Sequence, residues 1–185
     1  MDLERIVSLL TAGEVVGLPT DTVYGIAADP NSKAAVDKLF AIKGRGLGKP
    51  VGLLLASLAE AIEVVHLPPY ALEWAERYWP GPLNLVAMPL VELAIGTADS
   101  LAVRVPAHET TLAILAAFGP LAVTSANLAD GPESRSDTEA RALLGDSVAF
   151  YVPGTSPGGQ ASTTVDVRGP RPIVLRQGPI ALDTN

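Results

Sequence analysis

Three short polar clusters stand at the ends of apolar segments in this 185-residue sequence. Thr20 and Thr22 follow "VVGLP", Lys43 and Arg45 follow an amphipathic stretch, and Ser125 and Asn127 follow "LAVT". A rigid scaffold commonly presents functional groups at such ends. Each pair is spaced i, i+2, so extended backbone would aim both side chains the same way. Arg104 lies inside "LAVRVP", where alternation offers it to one face of a strand and burial would demand a partner or an anionic ligand. Cations and hydroxyls together suit a phosphate or a carboxylate. The glycines of "KGRGLGK" would let backbone approach such an anion closely. Plainer readings exist for each cluster. Threonine and Ser–Asn pairs are ordinary turn chemistry, and Lys43 with Arg45 could be a solvated helix end favoured by the dipole. The residues by themselves leave both readings open.

Several other chemistries are excluded. "GTSPG" (Gly154 to Gly158) fits the G-x-S-x-G pattern, but the residue after the nucleophile must donate an N–H to an oxyanion, and Pro157 has none. "GLGKP" has Pro50 where a Walker A loop needs Ser or Thr, and Lys43 where its first glycine belongs. "GRGLG" follows a helix pattern, unlike a dinucleotide fingerprint. With no cysteine, disulfides, thiolate catalysis and Cys-ligated zinc drop out. His66 and His108 have no metal-ligand spacing. A formal charge of −7 disfavours a broad grip on nucleic acid.

The elements that must position these groups alternate along the chain. Leu3, Ile6, Val7 and Leu10 recur at helical spacing, with Gly13 placed to stop the helix. "EVVGLPT" reads as a strand running into a loop "TDTVYG". Asn31 or Ser32 caps a second helix, "VGLLLA" is an apolar strand, and Ser57 with Glu60 begins a third helix. "PPYALEWAERYWPGP" is a helix started by proline and stopped by Pro-Gly-Pro. "LNLVAM" and "SLAVRVP" are strands, Thr110 to Phe118 a helix, and "LAVTSAN" a strand. Ser136 with Glu139 opens a short helix ending near Gly145, and "AFYVP", "TTVDVR" and "PIVLR" close the series. A 48% hydrophobic composition supports a real core. The reading is one α/β domain over 1–185 with a mixed sheet, no membrane span and a cytoplasmic location.

The motifs "GLPTDTVYGIAADP", "LFAIKGRGLGKPVGLLLAS", "WPGPLNLVAM", "LAVRVPAH", "LAVTSANLADG", "STTVDVR" and "IVLRQGPI" resemble, in order, those of the YrdC/TsaC family of L-threonylcarbamoyladenylate synthases. The likeness runs from about Glu14 to Ile180. It implies a twisted open mixed sheet with helices packed on it and a concave basic cavity. It also implies a reaction: L-threonine, bicarbonate or CO₂, and ATP with Mg²⁺ give threonylcarbamoyl-AMP and pyrophosphate. The product would pass to transfer proteins that build N6-threonylcarbamoyladenosine in tRNA.

By the same likeness, Lys43 and Arg45 are catalytic and bind ATP together with Ser100, Ser125, Asn127, Ser134 and Arg176. Thr20, Arg104 and Ser162 take threonine, and no metal ligand is implied. Gly46 replaces the family's usual proline, which bears on substrate affinity. Two other classes share the fold: a double-stranded RNA-binding module, giving weak RNA binding, and a carbamoyltransferase-related domain. Steep salt dependence would mark the first, and cysteine-rich zinc modules usually accompany the second.

Overall fold

The computed structural model describes residues 2–43, 51–96, 99–128, 131–157 and 160–183. Its strands are β1 (Val16–Leu18), β2 (Gly25–Ala28), β3 (Gly52–Leu54), β4 (Val65–His66), β5 (Leu83–Pro89), β6 (Leu101–Arg104), β7 (Leu121–Ser125), β8 (Phe150–Tyr151), β9 (Thr163–Asp166) and β10 (Ile173–Arg176). They form one open sheet in the order β10-β9-β5-β6-β3-β7-β2-β1-β8, with β4 pairing beside β5. The pairs β1–β8, β3–β6 and β5–β9 are parallel and the remainder antiparallel. The sheet is mixed, as expected.

Among the described residues, six α-helices cover it: α1 (Leu3–Thr11), α2 (Lys33–Ile42), α3 (Leu58–Val64), α4 (Pro69–Tyr78), α5 (Glu109–Phe118) and α6 (Asp137–Leu144). Their starts follow the sequence signals closely. Ser32, Ser57 and Ser136 each accept a hydrogen bond from the backbone N–H three residues on, which satisfies one of the helix's unpaired donors. Glu60 and Glu139 reach back to the N–H groups of Ala56 and Arg135 at 2.9 and 2.7 Å. Asp2 caps α1, and Pro69 opens α4.

Strand alternation then divides the core. Val16, Leu18 and Ala27 point to α1 and α5, where they meet Ile6, Leu10, Ile114 and Leu115. Val15, Ile26 and Ala28 point the other way, to Leu39 of α2 and to Ala140 and Leu144 of α6. A third cluster packs α3 and α4 on β5 and β6 through Ala61, Ala71, Ala75, Leu83, Leu85 and Val103.

Two strands depart from the sequence reading. "GIAA" forms the central strand β2, although it carries one β-branched residue. It is buried between β1 and β7, and such burial outweighs propensity. The two-residue β4 directly follows α3 and is too short to leave a periodic signal.

Candidate functional site

Arg104 ends β6 and is 5% exposed. Its Nε donates to the Gly81 carbonyl at 3.1 Å, one Nη1 bond goes to Thr22 Oγ1 at 3.1 Å, and another goes to Ser162 Oγ. Nη2 donates to Asp21 Oδ1 in a buried ion pair. Among the described residues, four of the five guanidinium N–H groups are thus placed, leaving one on Nη2. Burial pulls the guanidinium pKa below its ordinary value, while the Asp21 charge and hydrogen bond oppose that pull. Such a pair contributes little net stability, but it fixes where the fork points. Asp21 Oδ2 is buried with no hydrogen-bond partner among the described residues.

The two threonines meet by a turn rather than by extended alternation. Thr22 N–H donates to Thr20 Oγ1 at 3.1 Å, and the two hydroxyl oxygens are 3.1 Å apart. Because Thr20 donates its own proton to the Val23 carbonyl at 2.8 Å, the Thr22 hydroxyl must donate to Thr20. Thr22 Oγ1 is left to accept from Arg104. The result is a directed chain, Arg104 to Thr22 to Thr20.

The second cluster forms around Lys43, the C-cap of α2. Its ammonium donates to the carbonyls of Ser125 and Asn127 at 2.6 Å each and to Asn127 Oδ1 at 2.5 Å. Ser125 Oγ donates to the same Oδ1 at 2.7 Å, and Asn127 Nδ2 donates to the Gly131 carbonyl at 2.7 Å. Lys43 is 3% exposed, so the solvated-helix-end reading does not hold for it. Arg45 and Gly46 lie outside the described residues.

Both clusters border one cavity of about 380 Å³, lined among others by Thr20, Thr22, Arg104, Ser125, Asn127, Ser162 and Arg176. A neighbouring cavity of about 550 Å³ holds Ser100 and shares Gly52, Asn84 and Arg176 with the first. Arg176 is held by the Ser162 carbonyl at 2.9 Å and by Thr164 Oγ1 at 3.2 Å. Lys43 stands behind Ser125 and Asn127 rather than among the lining residues.

Ser134 is placed differently from the expectation. It is 2% exposed, and its hydroxyl donates to the Ala126 carbonyl. The adjacent Glu133 lines the cavity instead. The Ser134 side chain turns into the wall, where it holds the residue that follows β7.

Sequence reasoning missed Asp21, Glu133 and the carbonyl of Gly81. A signal for Asp21 existed, since a buried Arg104 required a counter-charge and an acid sits between the two flagged threonines. The Gly81 contact depends on the turn after α4, where a Cβ would fall 2.2 Å from the Tyr78 carbonyl oxygen.

The family model for Sua5/YciO/YrdC, described as "Telomere recombination", matches residues 8–178. The chain belongs to the Sua5/YciO/YrdC family. Among its relatives is a putative threonylcarbamoyl-AMP synthase of Mycobacterium tuberculosis, 40% identical over 182 residues, which cover 96% of this chain and 84% of the relative. A threonylcarbamoyl-AMP synthase of Photobacterium profundum is 34% identical over 185 residues, covering 96% of this chain and 99% of the relative. A crystal structure of Pyrococcus abyssi Sua5 complexed with L-threonine superposes with a TM-score of 0.89 at 32% identity. That match covers 95% of this Sua5/YciO/YrdC chain, which spans 54% of the P. abyssi chain.

Proposed function

We propose that this chain is a threonylcarbamoyl-AMP synthase, a nucleotidyltransferase acting as a single domain on L-threonine, bicarbonate or CO₂, and ATP. One observation carries the reading. The Arg104–Thr22–Thr20–Ser162 group and the Ser125–Asn127 loop border the same cavity, in a family with a member solved with L-threonine.

In this mechanism the remaining Nη2 N–H of Arg104, with Thr20 and Ser162, takes the amino acid. Ser125 and Asn127 take the phosphates, and Ser100 and Arg176 take the rest of the nucleotide in the neighbouring cavity. ATP enters with Mg²⁺ on its phosphates. The threonine amine adds to CO₂ and loses a proton, giving an N-carboxylate. One oxygen of that carboxylate attacks the α-phosphorus, the bond to the bridging oxygen breaks, and pyrophosphate leaves with the electron pair. Such a step needs positioning and positive potential more than an acid–base pair. Lys43 contributes its charge from behind the loop, and Arg45 is assigned to the leaving phosphates. The product goes to a protein that transfers threonylcarbamoyl to tRNA.

The test is an incubation of the protein with L-threonine, bicarbonate and ATP·Mg²⁺, read by mass for threonylcarbamoyl-AMP and by pyrophosphate release. Both signals should require threonine and bicarbonate together. ATP turnover that is equally fast without them rejects the proposal.

A further inference from the structure

Ser156 is the middle residue of "GTSPG", which cannot work as a nucleophile elbow, yet its side chain is 6% exposed and is engaged at the site. Its Oγ accepts a hydrogen bond from the Thr20 N–H at 2.9 Å, across 136 residues of chain. The serine is itself held firmly. Its N–H donates to the Arg135 carbonyl at 2.8 Å, Thr155 bridges to Ser136, and the Gly154 N–H donates to Asp137 Oδ1 at 3.1 Å. The loop is therefore pinned to the start of α6, whose own cap is Ser136. Gly154 brings this loop against the site loop, since a Cβ there would lie 3.1 Å from Pro19 Cγ.

The Thr20 amide has no place in a strand ladder, as β1 ends at Leu18. Its hydrogen-bond acceptor is the Ser156 hydroxyl oxygen. From Thr20 the contacts continue through Thr22 Oγ1 to Arg104 Nη1. We propose that Ser156 is a positioning residue for the amino-acid end of the cavity: by accepting the Thr20 N–H it sets the 19–22 turn, and through Thr22 the orientation of the Arg104 fork. The inference rests on the synthase reading and deepens it. Losing the acceptor leaves a buried donor unpaired and frees the turn to shift. Displacements near 1 Å in positioning groups are enough to depress reaction rates strongly.

The test uses Ser156→Ala, Ser156→Cys, which keeps the size but offers a poor acceptor, and Ser156→Thr, which restores a hydroxyl. L-threonine and ATP are varied separately in steady-state kinetics, and hydrogen exchange is followed at the Thr20 amide. Ala and Cys should raise KM for L-threonine by about tenfold and leave KM for ATP within about twofold. The Thr20 amide should exchange faster in both, and Ser156→Thr should restore both readouts. An unchanged threonine KM in folded Ser156→Cys, or equal rises for both substrates, overturns the inference while wild-type turnover keeps the synthase reading intact. A wild-type protein that makes no threonylcarbamoyl-AMP overturns both.

Discussion

Lys43 and Asn127 are joined twice, through the backbone carbonyl of the asparagine at 2.6 Å and through its side-chain Oδ1 at 2.5 Å. A third bond to the Ser125 carbonyl makes the ammonium a clamp between the end of α2 and the loop after β7. A compact ammonium with three donors suits three converging oxygens, which a planar fork does not. The lysine thus links stability to the shape of the end of the cavity proposed to take the phosphates.

Lys43→Met should therefore cost both. The Ser125 carbonyl keeps the Asn127 N–H at 3.0 Å and Asn127 Oδ1 keeps the Ser125 hydroxyl. The Asn127 carbonyl, however, loses its lysine donor at about 1–3 kcal/mol, and two charged hydrogen bonds go with it. A loss of at least about 2 kcal/mol and a fall of roughly 5 °C in Tm are expected. Lys43→Arg should fall between wild type and Met in Tm and lower kcat/KM by at least about tenfold. Thermal melts and kinetics on the same preparations check this. An unchanged Tm in Lys43→Met removes the clamp.

Asp21→Asn should separate the ion pair from its shape. The amide can still accept from Arg104, but the buried guanidinium loses its counter-charge, at a cost of about 3 kcal/mol. Threonine binding should weaken more than ATP binding, because Arg104 contacts Thr22 and Ser162 at the end of the cavity proposed to take the amino acid. Calorimetric titrations with each ligand decide it, and equal losses reject the assignment.

Helix starts were legible because their signal is local: Ser57 and Glu60, or Ser136 and Glu139, act within one turn. The polar clusters were legible as types but not as geometry. Thr20 and Thr22 do converge, yet through a hydrogen-bonded turn at 3.1 Å rather than through pleat alternation. β2 was missed because its burial is set by neighbours distant in sequence, as in the pairing of Gly25 with Ser125. Ser134 was expected at the cavity, and Glu133, which carried no expectation, lines it instead, because the local backbone path decides which of two neighbouring side chains meets the cavity. The Ser156–Thr20 contact spans 136 residues and had no local signature.

Stability should fall as the medium is acidified, with His108 contributing. Burial lowers its pKa below the ordinary histidine value, against opposing effects of Asp21, the Thr155 backbone and Glu109. Below about pH 6.5 the unfolded chain takes up a proton that the folded chain resists, so stability declines as pH drops toward the folded pKa. His108→Gln should flatten this part of the profile. Denaturant midpoints from pH 7.5 to 5 measure it, and an identical slope in the variant contradicts it.

Gly178→Ala should be far more damaging than a surface glycine change. A Cβ at Gly178 would lie 2.2 Å from the Thr163 N and 2.5 Å from the Ser162 carbonyl carbon, so the backbone carrying Ser162 must move. At Gly169 the nearest atom would be at 3.6 Å, an ordinary contact. Gly178→Ala should lose more than about 2 kcal/mol and much of its threonine use, whereas Gly169→Ala should stay within about 0.5 kcal/mol. Similar melts for both would refute the crowding argument.

The two cavities share Gly52, Asn84 and Arg176, and in the proposed reaction the product is one covalent molecule assembled across that boundary. An unreactive mimic joining an amino-acid head to a nucleoside tail would make its second contact intramolecularly, at an effective concentration of order millimolar. Such a bridging compound should outbind either half by ~10²–10⁴-fold. The shared boundary across which the proposed substrates would meet is thereby also the place where a single inhibitor gains most from being long.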